Sequence, residues 1–369
     1  MKKIAIDTSG ISEKYGIRGT GFYTKRLIKA FQKINTKNCR INSFNFKEAS
    51  KEKLLSQSLL HYPYFDPFFP TLPLKKVKPT ITTVHDLIPL KFPRRFPRGI
   101  RGEIKWQKQK FSLKSSTAII TDSESSKKDI YKITGFDQQN IHVIYLAPDE
   151  KFKVLKKEKL NQTAKKYNLP QNYILYVGDL NWNKNLPGLI KAFSGLKERD
   201  YYLVIVGKAF LNKNLAERIT LVKLIKKLNL YKRVKFLGFI STQELAVIYN
   251  LAKVYCQPSF YEGFGLPVLE AMACGCPVVS SDTSSLPEIA GEAALLVKPR
   301  TEEIAKGLEK VIQSEKLQKK LKEEGLLQAK KFSWQKTASQ TLEIYRKTAG
   351  FSLSFRIGQR PGTESILKV

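Results

Sequence analysis

Two carboxylates stand where a carboxylate is normally avoided. Within FYEGFGLPVLEAMACGCPVV, Phe260 to Val279, the run from Leu266 onward is almost wholly apolar or small, and Glu270 is its one charge. Glu262 stands eight positions earlier, just ahead of Gly263 and Gly265. Val268, Leu269, Met272 and Ala273 surround Glu270 with core-type side chains, and burying an unpaired carboxylate is costly. Something polar must meet it. A pair of ligand hydroxyls, as ribose or a hexose offers, would do so through charge-assisted bonds of about 1.5–3 kcal/mol each. The plainer alternative places Glu270 near the first turn of a helix, where the dipole favours an acid by about 0.3–1 kcal/mol. The core-type neighbours and the intervening glycines weigh toward a ligand.

The local mechanics fit that ligand. QPS ends a strand, FYEGFG is a loop, and Pro267 suits the first helical position, where no amide donor is needed. The spacing predicts a helix to about Ala273, ended by Gly275. Gly263 and Gly265 let the backbone come close to a ligand, and the free amides at the helix start point at an anion or hydroxyl.

Short β-branched runs alternating with longer helical periods must position this loop, and they predict parallel α/β architecture. In the first half the expected strands are Lys3–Asp7, Thr80–Asp86, Thr117–Ser123 and His142–Ala147, with a helix from about Thr20 to Ile34 after the loop RGTG. A Lys-rich segment, Pro148 to Asn172, precedes a second series at Tyr173–Gly178, Tyr201–Gly207, Val234–Phe239, Val254–Ser259 and Pro277–Asp282. Two doubly wound, Rossmann-like domains follow, with boundaries at 1–165 and 166–332. A helix over 333–348 packs back on the first domain, and 349–369 form a tail. Ligands of such sheets bind beyond the carboxyl ends of strands.

The segment Pro258 to Pro299 resembles the signature of family 4 glycosyltransferases, with two glutamates separated by seven residues. The similarity extends to YVGDLNWNKNLPGLIKAF (Tyr176–Phe193), FLGFISTQELAVIYNLA (Phe236–Ala252), TVHDLIPLKFP (Thr83–Pro93) and TDSESSKKDI (Thr121–Ile130), and so over most of residues 1 to 348. The resemblance implies the GT-B fold, in which two Rossmann-like domains face a central cleft, and a retaining, nucleotide-sugar-dependent enzyme. It implies that Glu270 holds the donor ribose and Glu262 the transferred sugar. Amides of Phe264, Gly265 and Leu266 would contact sugar and diphosphate, with Gly263, Gly178 and Gly238 also at the donor. Lys184 would neutralise the diphosphate, with either Asn185 and backbone amides or a basic residue elsewhere completing the phosphate contacts, and His85 would touch the reaction centre. Asp86 is expected to cap its loop. Gly19 and Gly21 resemble a glycine loop near the donor phosphates or the acceptor, although such glycines commonly serve tight packing. The sequence departs from the family at Asp179, where many relatives place a phosphate-binding arginine. The weakly favoured donor is GDP-mannose over a UDP-sugar, and the acceptor is a hydroxyl of a cell-envelope saccharide or lipid-linked glycan. A sugar-nucleotide epimerase is the alternative within the fold, but beyond His85 no acid–base set for it is evident.

The 369 residues carry a formal net charge of +33, with 42% hydrophobic residues. That length fits about two domains. No Asp-x-Asp pair offers a divalent-metal site, and no cofactor is expected. The four cysteines form no CxxC pair, so buried thiols in a reducing cytoplasm are expected. Charge alone supports a nucleic-acid partner, and none is expected. The basic residues concentrate in Lys91–Lys114, where nine face Glu103 alone. Arg94, Arg95, Arg98, Arg101 and Lys105 mix there with Phe92, Phe96, Trp106 and Phe111, while Ile100, Ile104 and Phe111 share a helical stripe. Such a segment suits an anionic bilayer surface, here the inner face of the plasma membrane. In the alternative, the stripe faces the protein's own core.

Overall fold

The structure, a computed structural model, describes residues 1–11, 19–36, 38–156, 158 and 160–350. Strands β1 (Lys2–Asp7), β2 (Cys39–Phe44), β3 (Leu59–Tyr62), β4 (Thr80–Thr83), β5 (Ala118–Thr121) and β6 (Ile141–Val143) form one sheet in the order β2-β1-β3-β4-β5-β6. Strands β7 (Tyr173–Val177), β8 (Tyr202–Val206), β9 (Val234–Gly238), β10 (Val254–Gln257), β11 (Val278–Ser281) and β12 (Leu295–Val297) form the second, β12-β11-β10-β7-β8-β9. Every recorded pairing is parallel. Helices covering both faces explain why β5, β10 and β11 are buried at every position, the polar Thr121, Gln257, Ser280 and Ser281 at their carboxyl ends included. In the second sheet the chain order reverses between β7 and β10. The loops after these two strands therefore flank a crevice of the kind in which doubly wound sheets bind ligands.

The alternation of apolar runs does not reveal β2, β3 or β12. Strand β2 mixes polar and half-buried positions, β12 is half-buried throughout, and β3 carries the buried His61. The first helix spans Gly19–Phe31 rather than starting at Thr20 and running to Ile34. The Lys-rich segment contains a short helix, Leu160–Lys166.

The helix Trp334–Thr348 follows the second sheet in sequence but packs on the helix Gly19–Phe31 of the first. Tyr345 stacks on Phe31, and its hydroxyl meets His61 Nδ1 at 2.5 Å. The other ring nitrogen of His61 meets Thr83 Oγ1 at 2.8 Å. Burial pushes the His61 pKa down to about 3, so the imidazole is a neutral structural link. The tail expected from 349 onward lies, after Gly350, outside the described residues.

Candidate active site

The loop after β10 is fastened through its carbonyls. Ser281 donates to Gln257 O, Asn185 to Pro258 O, Thr283 to Ser259 O and Asn183 to Tyr261 O. Ser285 Oγ donates to the carbonyls of Glu262 and Phe264 at 3.1 and 3.0 Å. Gly263 O accepts from Ser123 at 2.6 Å and Ser126 at 3.1 Å, both from the first sheet's side. With the carbonyls so engaged, the amides of Phe264, Gly265 and Leu266 are the polar edge left for an anion or hydroxyl. Gly265 has φ +95, and an added Cβ would lie 2.7 Å from Leu286. At Gly263 a Cβ would fall 2.9 Å from Asp86 Cβ, so this glycine lets the two halves of the molecule approach.

Glu262 is only 5% exposed. Its Oε1 accepts from Gln257 Nε2 and Ser259 Oγ, each at 2.7 Å. Lys184 Nζ lies 2.9 Å from Oε1 and 2.7 Å from Oε2. The cation expected on the phosphates and the carboxylate expected on the sugar thus neutralise each other. Asn185 departs further from expectation. It adopts φ +52, and its side-chain amide donates to Pro258 O and Pro299 O, so in this structure it braces the turn.

Glu270 lies in the second turn of the helix Leu266–Ala273, whose first turn holds no acid, so the helix dipole does not account for it. Its neighbours Val268, Leu269 and Met272 are buried. Burial raises the Glu270 pKa to about 7, against the opposing pull of the Tyr249 hydroxyl, which donates to Oε2 at 3.1 Å. Among the described residues no cation pairs with it. The carboxylate is poised to take up hydroxyl donors.

His85 follows β4 and meets the end of β5. Its Nδ1 lies 2.6 Å from Asp122 Oδ2, while Nε2 is buried without a partner. Burial works to lower the imidazole pKa, but the Asp122 carboxylate, helped by Asp86 and the Pro63 carbonyl, outweighs it and the net shift is upward. Asp122 is a partner of His85 that the sequence reading missed. The pairing of β4 with β5 brings it beside His85, and that strand order was the absent signal. Asp86 accepts from Ile88 N at 3.0 Å, the loop cap expected of it.

The remaining predicted residues are more dispersed. Gly178 and Gly238 follow or end β7 and β9; Gly238 has φ +67, and an added Cβ would strike Leu211. Asp179 is exposed and caps Leu180 N at 2.9 Å, so it offers no cation. Gly19 and Gly21 lie within the first turn of the helix Gly19–Phe31 and not in a loop, while residues 12–18 before them are outside the described set.

The basic segment divides in two. Phe92 and Phe96 pack on Trp182 of the second half, Arg95 stands 5.0 Å over the same indole, and Trp106 is buried. Along the helix Gly99–Lys114, by contrast, Ile100, Ile104 and Phe111 are 82%, 52% and 67% exposed, so the stripe does not face the core. Arg94, Arg101 and Lys105 are exposed beside it, and Arg98 pairs with Glu103 at 2.5 Å. Among the described residues no helix is long and apolar enough to cross a membrane.

Comparison with known proteins agrees with this geometry. The family profile "Glycosyl transferases group 1" matches residues 157–328, and "Glycosyltransferase Family 4" matches 37–151. The O-antigen chain mannosyltransferase B of Escherichia coli is 30% identical over 278 residues, 73% of this chain and 71% of that protein. The serotype-specific mannosyltransferase WbdA of Escherichia coli is 30% identical over 287 residues, 76% of this chain but only 35% of that longer protein. Among solved structures, a sucrose-phosphate synthase of Thermosynechococcus elongatus superposes with a TM-score of 0.73 at 22% identity, covering 94% of this chain and 99% of its own, a likeness of fold. The chain belongs to the group 1, family 4 glycosyltransferases and has their GT-B fold.

Proposed function

We propose that the chain transfers a hexose, with mannose favoured, from a nucleoside-diphosphate sugar to a hydroxyl of a cell-envelope saccharide or lipid-linked glycan, retaining the anomeric configuration. The observation that carries this proposal is the Lys184–Glu262 pair on one braced turn at the switch point of a doubly wound sheet, with Glu270 on the helix that follows the turn. A donor diphosphate competes with Glu262 for Lys184. The lysine and the turn amides then stabilise charge that grows on the leaving phosphate as the glycosidic bond breaks. Glu262, released, accepts hydroxyls of the sugar, and Glu270 accepts those of the ribose. Asp122 holds the His85 ring through Nδ1, and the role proposed for the other ring nitrogen, Nε2, is to meet the sugar. A departing phosphate oxygen takes the acceptor's proton in a front-side substitution. No divalent metal or cofactor is assigned a step.

The proposed setting is the cytoplasmic face of an anionic membrane, supported by the exposed apolar stripe beside basic side chains on the helix Gly99–Lys114. No nucleic-acid partner is invoked. The test is acceptor-dependent release of nucleoside diphosphate from GDP-mannose, with UDP-glucose in parallel and chelator in each arm. Release that needs an acceptor and survives chelation is expected. Donor interconversion without an acceptor would mean epimerisation, and loss on chelation restored by Mg²⁺ or Mn²⁺ would overturn metal independence.

A further inference from the structure

A cavity of about 930 Å³ lies at the seam between the two halves, near the upper end of the roughly 300–1,000 Å³ typical of ligand pockets. Lys184, Glu262, Glu270 and His85 are not among its lining residues. Its aromatic wall is built from Trp182 and Phe260, whose rings stack at 5.1 Å and 26°, with Phe96 set edge-on to Trp182 at 6.4 Å. Around this wall stand Arg95, Asn181, Glu217 and Arg300. Arg95 and Phe96 come from the first half of the chain and the others from the second, so the cavity is complete only when the halves meet.

We infer that this cavity is a second saccharide site, which holds non-reacting units of the acceptor glycan; the inference rests on the glycosyl transfer proposed above. A sugar ring presents C–H groups on one face and hydroxyls around its edge. Aromatic faces match the first, and planar amide, guanidinium and carboxylate groups match the second. A lipid tail would instead need an unbroken apolar wall, which the charged residues here interrupt. The site is tied to the reaction through the chain itself. Trp182 lies two residues before Lys184, and Phe260 two before Glu262, so a glycan seated on the stacked pair steadies both segments that carry the ion pair. Longer acceptors then react better than short ones without touching the donor.

Trp106 and Trp334 are buried, so intrinsic fluorescence without donor reports a ligand on Trp182. A titration with α-linked manno-oligosaccharides is expected to show affinity rising about tenfold from one unit to about six, a difference of roughly 1.4 kcal/mol. Thr220→Tyr, at an exposed helical position on the cavity wall, should remove that gain with an unchanged melting temperature, and Phe96→Ala should weaken it from the other side of the seam. Equal affinity for short and long chains, or a gain that survives Thr220→Tyr, overturns the site. Because no donor is present, an error in the transfer chemistry leaves this titration intact and shows instead as absent nucleoside diphosphate release.

Discussion

The turn after β10 and the helix Gly99–Lys114 treat their side chains in opposite ways. In the turn, carbonyl after carbonyl is taken up by a hydroxyl or amide, and Glu262 has a lysine, a glutamine and a serine on its carboxylate. On the helix, large apolar side chains stand in solvent beside basic ones. Both depart from the ordinary rule of apolar inside and charged outside. The turn buries polar groups and satisfies them, which fixes one geometry without a ligand present. The helix leaves apolar side chains in solvent, the feature on which the proposed membrane contact rests. The geometry of the turn is thus built in, while the exposed apolar stripe of the helix has no partner among the described residues.

The largest effect is expected where the braced turn loses its cation. Lys184→Ala leaves the Glu262 carboxylate buried without a counter-charge, and breaking such a pair costs about 3–5 kcal/mol. Denaturant unfolding should show that loss near its lower bound, since the lysine side chain keeps 21% exposure. Transfer should fall by about 10²–10³, the scale of losing one donor to a developing oxyanion. The double variant Lys184→Met with Glu262→Gln removes both charges, so it should regain much of the stability and none of the activity. Wild-type melting of Lys184→Ala would show that the pair is incidental to the turn.

A smaller effect separates Glu270 from Glu262 by pH. Glu270 is raised to about 7 in the folded, donor-free protein. The folded state therefore holds this proton more tightly than the unfolded chain, and the group's contribution to stability is lost as pH rises from the ordinary carboxyl range through about 7. Glu270→Gln cannot ionise, so it should melt higher than the parent at pH 8 and alike at pH 4. Donor hydroxyls favour the carboxylate, so binding releases the proton and affinity should rise with pH up to about 7. The variant should bind donor more weakly with a flat profile. A parent profile already flat between pH 5 and 7 would remove the role given to Glu270.

How much of this was legible in the sequence follows the same division. The run from Val254 to Ser281 encodes its own strand, turn, helix and strand. Pro267 stands in the first turn, one position later than expected because the helix starts at Leu266, and Gly275, at φ +70, lies past its end as its residue type requires. Local chemistry was enough there. The Asp122 contact to His85 and the Lys184 contact to Glu262 were not legible, because each joins loops brought together by strand order and sheet pairing. Position within the helix was also misjudged for Glu270: starting at Leu266 puts it beyond the first turn. The stripe on Gly99–Lys114 showed its period in sequence, but periodicity names a face and not what lies against it.

That stripe supplies the smallest expected change in fold and the clearest in location. Ile100→Ser with Ile104→Ser alters side chains that bury little in the protein, so unfolding free energy should shift by no more than about 0.5 kcal/mol. Sedimentation with vesicles containing phosphatidylserine or phosphatidylglycerol should nevertheless fall, because apolar area and basic charge act together at an interface. Arg101→Glu with Lys105→Glu should weaken binding at low salt by about 1 kcal/mol per charge removed from the surface, and the difference should fade as salt screens it. Transfer to a soluble acceptor should be unaffected by either pair, since none of the four residues was found at the donor turn. If both pairs sediment like the parent, the exposed stripe faces something other than a bilayer, and the contrast with the braced turn would then concern an unidentified partner.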